Sequence, residues 1–451
     1  MNYMNDITDA IRSFIRYVDA AAVKLKQPVK IYLAVVLAVL LAASAPIRAA
    51  AANEAFQTPQ IVSESAVLMD AKTGQVLYEK NMHTQLYPAS ITKILTILLG
   101  IEHGQQQDKV TMSREAVFSI LRGSSHIALT DGEEITLEQA LMAAMLPSAN
   151  DASNGIAEHI SGSVEDFAVL MNQRAREAGA LNSNFVNPHG LPDEEHVSTA
   201  YDMAMITRVA LQNDKFRGIF GTVRYTIPST NKQPESRDLW SEHRMLTTNK
   251  FYYEGVIGGK TGYTAISQNT LVTAAQRGDR ELIAVVMKSQ AYGVYTDTMA
   301  LFDYGFNQFT EASFNPAELV TPSRGQDQTK LIADILNQNQ DTIFTRLIHN
   351  SISPEEVSVD YRLVDESQNK PPDLQLNIRL DSAGSLQYAD LGSVYLYNFD
   401  PAEENGRPAW VSFVVTAFKV LAYLIIGIVA LLFILRWFIR ARRMLKRRIR
   451  L

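Results

Sequence analysis

Tyr87-Pro88-Ala89-Ser90-Ile91-Thr92-Lys93 sets a proline turn against a strongly apolar helical pattern that continues to Ile101. On a helix, positions i and i+3 share a face, so the Ser90 hydroxyl and the Lys93 amine can meet. A serine hydroxyl alone is a poor nucleophile, and a neutral amine beside it can take its proton. The same spacing recurs at Ser229-Thr230-Asn231-Lys232 and Ser367-Gln368-Asn369-Lys370, but both lie in polar, loop-like sequence. Only Ser90 follows a turn and opens an apolar helix. Working outward, Ser-x-Asn occurs at Ser148, Ser229, Ser267, Ser313 and Ser367, and Lys-Thr-Gly at Lys72 and Lys260. The first Lys-Thr-Gly belongs to a hairpin: Val62–Met69 is strand-like, Asp70–Gly74 supplies turn residues, and Gln75–Tyr78 returns. Read in chain order, a nucleophile motif, Ser-x-Asn and Lys-Thr-Gly run from Ser90 through Ser148 or Ser229 to Lys260. Leu146-Pro147 ends one helical pattern and Ser148 starts another. That capping position can face a cleft, which favours Ser148.

The chain has 451 residues, 47% apolar and 20% charged, a globular composition too polar for a multi-span membrane protein and long enough for two or three domains. It has no Cys, which removes disulfides, thiol nucleophiles and zinc–thiolate sites. The net charge of −6 is unevenly spread: residues 436–451 hold eight basic side chains and no acid, and residues 1–52 hold six basic and three acidic ones. The body between them is therefore strongly acidic, which argues against general nucleic-acid binding.

Residues 411–435 form an apolar run interrupted only by Lys419 and bracketed by Trp410 and Trp437. At helical rise it spans about 37 Å, enough to cross a hydrocarbon core of about 30 Å. The basic cluster behind it places the 436–451 tail in the cytoplasm and the preceding chain outside. Lys24, Lys26 and Lys30, the apolar run Ile31–Ala43 and the small residues Ala49–Ala52 follow the order of a secretory signal over 1–52. An uncleaved signal anchor is the alternative, and it leaves the body on the same side.

Between these ends, helical patterns at Leu137–Leu146, Gly155–Ile160 and Val164–Ala178 mix with strand patterns at Leu271–Ala275 and Leu282–Met287. No strict βαβ rhythm is present, so an α+β layered domain is expected. After about Asn315 a short helical stretch, Lys330–Asn337, precedes the alternating runs Val357–Val364, Leu374–Leu380 and Val394–Tyr397. They read as a small β-rich domain. The expected organisation is a catalytic domain over 53–315, a β-rich domain over 316–405, the span and the tail.

Ser90…Lys93, Ser148-Ala149-Asn150 and Lys260-Thr261-Gly262 resemble the three signatures of penicillin-binding proteins and serine β-lactamases. Phe167–Asn172 with Asn187-Pro188-His189-Gly190-Leu191, His196–Met203 and Gly258-Gly259-Lys260-Thr261-Gly262-Tyr263-Thr264 resemble the low-molecular-mass D-Ala-D-Ala carboxypeptidases, the peptidase S11 type. The likeness covers about Ser63 to Phe306. It implies a β-lactamase/transpeptidase-like fold, an antiparallel sheet with helices on both faces plus a helical subdomain, and no cofactor or metal. It also implies a peptidoglycan stem ending in D-Ala-D-Ala as substrate and β-lactams as covalent inhibitors. Ser90 would attack the penultimate carbonyl with Lys93 as base, and Ser148 would pass a proton to the leaving D-Ala. Asn150 would bind the substrate amide. The backbone N–H groups of Ser90 and Tyr263 would hold the oxyanion, while Lys260 and Thr261 would bind the terminal carboxylate, with Gly262 and Thr264 beside them. The family carries an Arg just after the strand equivalent to Leu282–Met287. Lys288 and Gln290 stand there in this chain, which shifts carboxylate binding onto Lys260, Thr261 and Thr264.

Other classes fit less of the sequence. A class A β-lactamase needs a Glu for its deacylating water, and the run at Glu165 lacks Glu-x-x-Leu-Asn. A zinc peptidase could use His189, Asp193 and His196, but no His-Glu-x-x-His occurs and the segment is rich in turn residues. A Ser-His-Asp hydrolase lacks its Gly-x-Ser-x-Gly elbow. A penicillin-binding sensor that signals across the membrane would have only the sixteen-residue tail to signal with.

Overall fold

The computed structural model of the chain describes residues 58–247, 250–320, 326–353, 357–364, 373–380 and 390–396. The expected signal (1–52), span (411–435) and tail (436–451) lie outside them. Among the described residues no helix is long and apolar enough to cross a membrane. The chain divides into two compact units, 1–310 with 347–354, and 311–346 with 355–451.

The first unit is built on five antiparallel strands: β1 (Ser65–Asp70), β2 (Val76–Lys80), β3 (Val256–Thr264), β4 (Gln268–Arg277) and β5 (Arg280–Ser289). Their order is β2-β1-β5-β4-β3, so the strand bearing Lys260 is an edge. The β1–β2 turn contains the first Lys-Thr-Gly. The Asp70 carboxylate accepts the Thr73 N–H at 2.8 Å and Gly74 adopts φ +78°, as turn chemistry requires.

Helices cover both faces of the sheet, as expected. They are α1 (Lys93–His103), α2 (Leu137–Met145), α3 (Asn150–Ser161), α4 (Val164–Glu177), α5 (Ala200–Ala210), α6 (Asp214–Phe220) and α7 (Gly293–Asn307). Successive strand side chains point to opposite faces. Val67, Met69, Ile283, Val285 and Met287 enter the main core with α1 to α6. Leu68 and Leu282 point the other way, where they pack so closely on Gly305 of α7 that a Cβ there would lie 2.6 Å from each. The core around α1 is dense: every residue from Lys93 to Gly100 is buried. Side-chain caps start the neighbouring helices, with a capping box at Thr136/Gln139 for α2, Ser163 for α4, Thr199 for α5 and Asn213 for α6.

The first unit runs to residue 310, and residues 347–354 rejoin it. Paired polar groups explain the return. The Gln75 side chain donates to the Leu347 carbonyl at 2.7 Å and accepts the Leu347 N–H at 2.9 Å, and Asn350 N–H donates to the Gln308 carbonyl. These long-range pairs leave no local pattern. The second unit holds a helix, α8 (Gln326–Gln338), and an antiparallel sheet of β6 (Val357–Val364), β7 (Asp373–Leu380) and β8 (Asp390–Leu396) in that order. Ile332, Ile335 and Leu336 of α8 share a core with Leu374, Leu376 and Leu396.

Candidate active site

Ser90 lies on a single 3-10 turn, Ala89–Thr92, that leads into α1. Ala89 is held at φ +52°, a conformation that costs an L-residue about 1–3 kcal/mol. Tertiary contacts hold it there: Thr270 Oγ1 of β4 donates to the Pro88 carbonyl at 2.9 Å. Gly190 packs against the Ala89 carbonyl so tightly that a Cβ would sit 1.9 Å from that oxygen. One turn on, Lys93 is fully buried, with its Nζ 3.1 Å from Ser90 Oγ, 2.7 Å from Asn150 Oδ1 and 2.8 Å from the His189 carbonyl oxygen. Burial, and secondarily the Lys260 charge, hold its pKa well below the usual lysine value. A neutral amine has two hydrogens and one lone pair. The hydrogens suit the two carbonyl oxygens, which leaves the lone pair to accept the Ser90 O–H.

Ser148 departs from the expected capping role. Ala149 is the N-cap of α3, and Ser148 precedes it at φ +62°. Its hydroxyl is buried with no hydrogen-bond partner among the described residues. A capping serine would have spent that hydroxyl on the helix. Ser148 keeps it for the cavity, which it lines with Ser90, Ser125, Thr261, Gly262 and Tyr263 around about 290 Å³. Asn150 starts α3 with its carbonyl oxygen committed to Lys93, and its N–H donates to the Ser125 carbonyl.

The third element is the free edge of β3. Lys260 is buried, and desolvation lowers its pKa to about 8, with the Glu242 carboxylate opposing the drop. The glycines around it are steric necessities. A Cβ on Gly262 would meet Thr270 Oγ1 at 2.3 Å and Ser90 N at 2.9 Å, and one on Gly259 would meet His243 Nε2 at 2.1 Å. Gly262 therefore lets the edge strand reach the Ser90 N–H. Tyr263 lines the mouth of the cavity and is 68% exposed.

Other expected residues are placed elsewhere. The Thr264 hydroxyl pairs with Ser267 Oγ at 2.7 Å, and its N–H donates to the same oxygen, which closes the β3–β4 turn. Neither Lys288 nor Gln290 lines the cavity. Lys288 pairs with Glu64 at 2.7 Å. Thr230 and Asn231 of the second Ser-x-x-Lys match fasten residues 133 and 134, and the third match lies outside the described residues. His189, Asp193 and His196 are structural. Leu191 N–H donates to His189 Nδ1, Glu195 N–H to Asp193, and Val186 N–H to His196 Nδ1. His196 Nε2–H then donates to Thr92 Oγ1 at 2.9 Å, a neutral tautomer consistent with burial lowering its pKa to about 4.

Glu242 and His243 carry no sequence signal. Both sit in the segment before β3, outside every motif. Glu242 lines the cavity, and Thr261 Oγ1 donates to its Oε2 at 3.4 Å. His243 is buried beneath β3 with Nε2 2.8 Å from Thr273 Oγ1, and burial lowers its pKa to about 3.

This sheet order, with a serine, a buried amine and a lysine-bearing edge strand around one cavity, defines the α+β transpeptidase/β-lactamase-like fold. A model of the peptidase S11 family, described as D-alanyl-D-alanine carboxypeptidase, matches residues 52–291, and the chain belongs to that family. Over 254 residues it is 38% identical to the D-alanyl-D-alanine carboxypeptidase DacF of Bacillus subtilis, an alignment covering 55% of this chain and 63%, under two thirds, of that relative. A solved D-alanyl-D-alanine carboxypeptidase from Mycobacterium tuberculosis H37Rv aligns with TM-score 0.51 at 28% identity, covering 56% of this chain and 94% of that one. Penicillin binding protein 6B of Escherichia coli shares the fold, with TM-score 0.57 at 23% identity over 76% of this chain and 98% of that one.

Gly262→Ala tests the close approach of β3 to the Ser90 turn. The added methyl has to move either the strand or the Ser90 turn. The variant is expected to stay folded by circular dichroism and to lose at least tenfold in the rate of Ser90 acylation by a fluorescent penicillin.

Proposed function

We propose that the chain is a serine-type D-Ala-D-Ala carboxypeptidase that removes the terminal D-Ala from peptidoglycan stem peptides through an acyl-enzyme on Ser90. The observation that carries this reading is the environment of Lys93: a fully buried amine with two carbonyl acceptors and the nucleophile as its third neighbour. In the proposed cycle Lys93 takes the Ser90 proton as Oγ attacks the penultimate carbonyl. The oxyanion that forms is held between the Ser90 N–H and the β3 edge at Tyr263. Removing one such donor typically raises the barrier by about 3–4 kcal/mol. Lys260 and Thr261 hold the terminal carboxylate. The unpartnered Ser148 hydroxyl relays a proton to the leaving D-Ala nitrogen, the scissile C–N bond breaks, and water then hydrolyses the ester. Asn150 acts here through its hydrogen bond to Lys93. β-Lactams enter by the same route and remain on Ser90.

The sequence supports an extracytoplasmic site for this activity: a secretory signal over 1–52, the catalytic unit and the small C-terminal domain outside, a span over 411–435 and a cytoplasmic tail. Protease added to intact spheroplasts is then expected to degrade the body, while an epitope fused after Leu451 stays protected. Degradation of the epitope under the same conditions would reverse the topology.

Ser90→Ala is expected to abolish both D-Ala release from a D-Ala-D-Ala peptide and covalent labelling by a fluorescent penicillin, with the fold intact. Labelling that persists would assign the nucleophile elsewhere. The pH dependence follows from two lysines with opposite requirements. Lys93 has to be neutral, so the rising limb of acylation lies well below the ordinary lysine range. Lys260 has to be charged to hold the carboxylate, so the rate should fall as pH passes about 8. A rate still climbing above pH 10 would contradict these roles.

A further inference from the structure

The Ser90 cavity shares Glu242, Thr261, Asn269 and Tyr295 with an open cleft of about 790 Å³ that runs on past Thr261. Lys260 lines neither space. It is buried, and its Nζ donates to the Thr261 carbonyl at 3.1 Å. Its charge therefore acts on a carboxylate at Thr261 from within the wall, and a direct ionic contact in the cleft falls to another side chain. Arg244 is the basic residue of the cleft lining. Its guanidinium lies over the Tyr292 ring, 4.7 Å from the centroid, and Lys250 Nζ lies 5.1 Å from the same centroid. The π face attracts each cation, but two like charges on one ring also repel, and an anion between them relieves that repulsion. The platform itself is fixed. Phe251 packs against Tyr292 and stacks on Tyr295 at 4.8 Å, and the Tyr295 hydroxyl is hydrogen-bonded to the Arg244 backbone. The chain reaches Tyr292 through Ala291 at φ +46°, a conformation kept only where the surroundings impose it.

The local charges also favour an anion. Glu242 is the acid of the cleft lining; its carboxylate accepts from the Thr261 hydroxyl and favours the charged form of Lys260. Lys288 is already paired with Glu64. One carboxylate thus stands against Lys260, Arg244 and Lys250, and an entering carboxylate meets a positive field. Arginine suits the contact, because its planar fork matches both oxygens of a carboxylate.

We propose that Arg244, carried on the Tyr292 ring, is a substrate-binding residue that pairs with the terminal carboxylate of the leaving D-residue where it reaches past Thr261. The inference rests on the carboxypeptidase reading above. Arg244 is exposed, so its replacement leaves the core untouched.

The test compares a peptide ending in D-Ala-D-Ala as the free acid with the same peptide as its C-terminal amide, on the full chain and on Arg244→Ala and Arg244→Lys. For the free acid, Arg244→Ala is expected to raise KM about tenfold or more, with kcat within about threefold, as the loss of a charge-assisted pair requires. Arg244→Lys keeps the charge without the fork, and its KM should fall between those of the parent and Arg244→Ala. The amide has no charge to pair, so its KM should stay within about twofold of the parent in both variants. Methylguanidinium added to Arg244→Ala should recover about threefold or more in kcat/KM for the free acid, and should do nothing for the parent. A free-acid KM unchanged in Arg244→Ala, or an equal loss for both peptides that methylguanidinium does not restore, would overturn the role. Should the amide turn over too slowly to follow, the rescue decides alone. Penicillin acylation of Ser90 in the same preparations reports on the parent reading. If the unmodified chain neither labels nor releases D-Ala, the carboxypeptidase assignment fails. If it does both and Arg244→Ala leaves the free-acid KM in place, only the role of Arg244 fails.

Discussion

The site depends on keeping one amine out of water. Lys93 is among the largest fully buried side chains of the described residues. A charged ammonium at that depth is costly, and the protein meets the cost by lowering the amine's proton affinity and giving it oxygen acceptors. Every element around Ser90 serves this arrangement. The Asn187–Leu191 turn brings the His189 carbonyl, α3 brings Asn150, and β3 brings the second cation that pushes Lys93 further toward its neutral form. The turn itself is built for the purpose. The Asn187 side chain accepts the Gly190 N–H at 2.7 Å, and Thr96 of α1 donates to the Pro188 carbonyl at 2.6 Å.

A second constraint is steric. The β3 edge and the Asn187–Leu191 turn each approach the Ser90 turn more closely than side chains allow, and glycine at 262 and at 190 makes room for them. The positive φ at Ala89 and Ser148 belongs to the same compromise. The hydroxyls of Ser90 and Ser148 are both presented from backbone that a free chain would avoid. Local strain is tolerated because the surrounding helices and sheet fix these turns independently.

The sequence carried the parts that rest on local periodicity. The hairpin at 65–80, the helices at 93–103, 137–145 and 164–177, and the strands at 268–277, 280–289, 357–364 and 373–380 all follow their apolar patterns closely. The motif order singled out Ser90, Ser148 and Lys260, and the cavity brings Ser90 and Ser148 together with Thr261 and Gly262. Helices α5, α6 and α7 leave no such pattern, and α6 is only seven residues long. In α5 the apolar residues are mostly small or Met, and α7 mixes Tyr, Thr and Asp among its apolar positions, so neither shows a clean stripe. Glu242 and His243 were invisible for a different reason. They act by lying against β3 from a preceding loop, and a contact of that kind has no period and no fixed spacing. Thr264 shows how a residue can be found while the partner of its hydroxyl is missed. Which partner takes a hydroxyl is decided by turn geometry, and that becomes visible only in three dimensions.

The bond from Thr270 to the Pro88 carbonyl joins residues 182 positions apart, and Lys260 follows Ser90 by most of the catalytic unit. A chain emerging from the ribosome therefore displays Ser90 long before β3 and β4 exist to complete its surroundings. Until then Lys93 stays hydrated and charged, and the serine is as inert as any other. The surroundings that bury Lys93 beside Ser90 are therefore completed only by the last strands of the sheet.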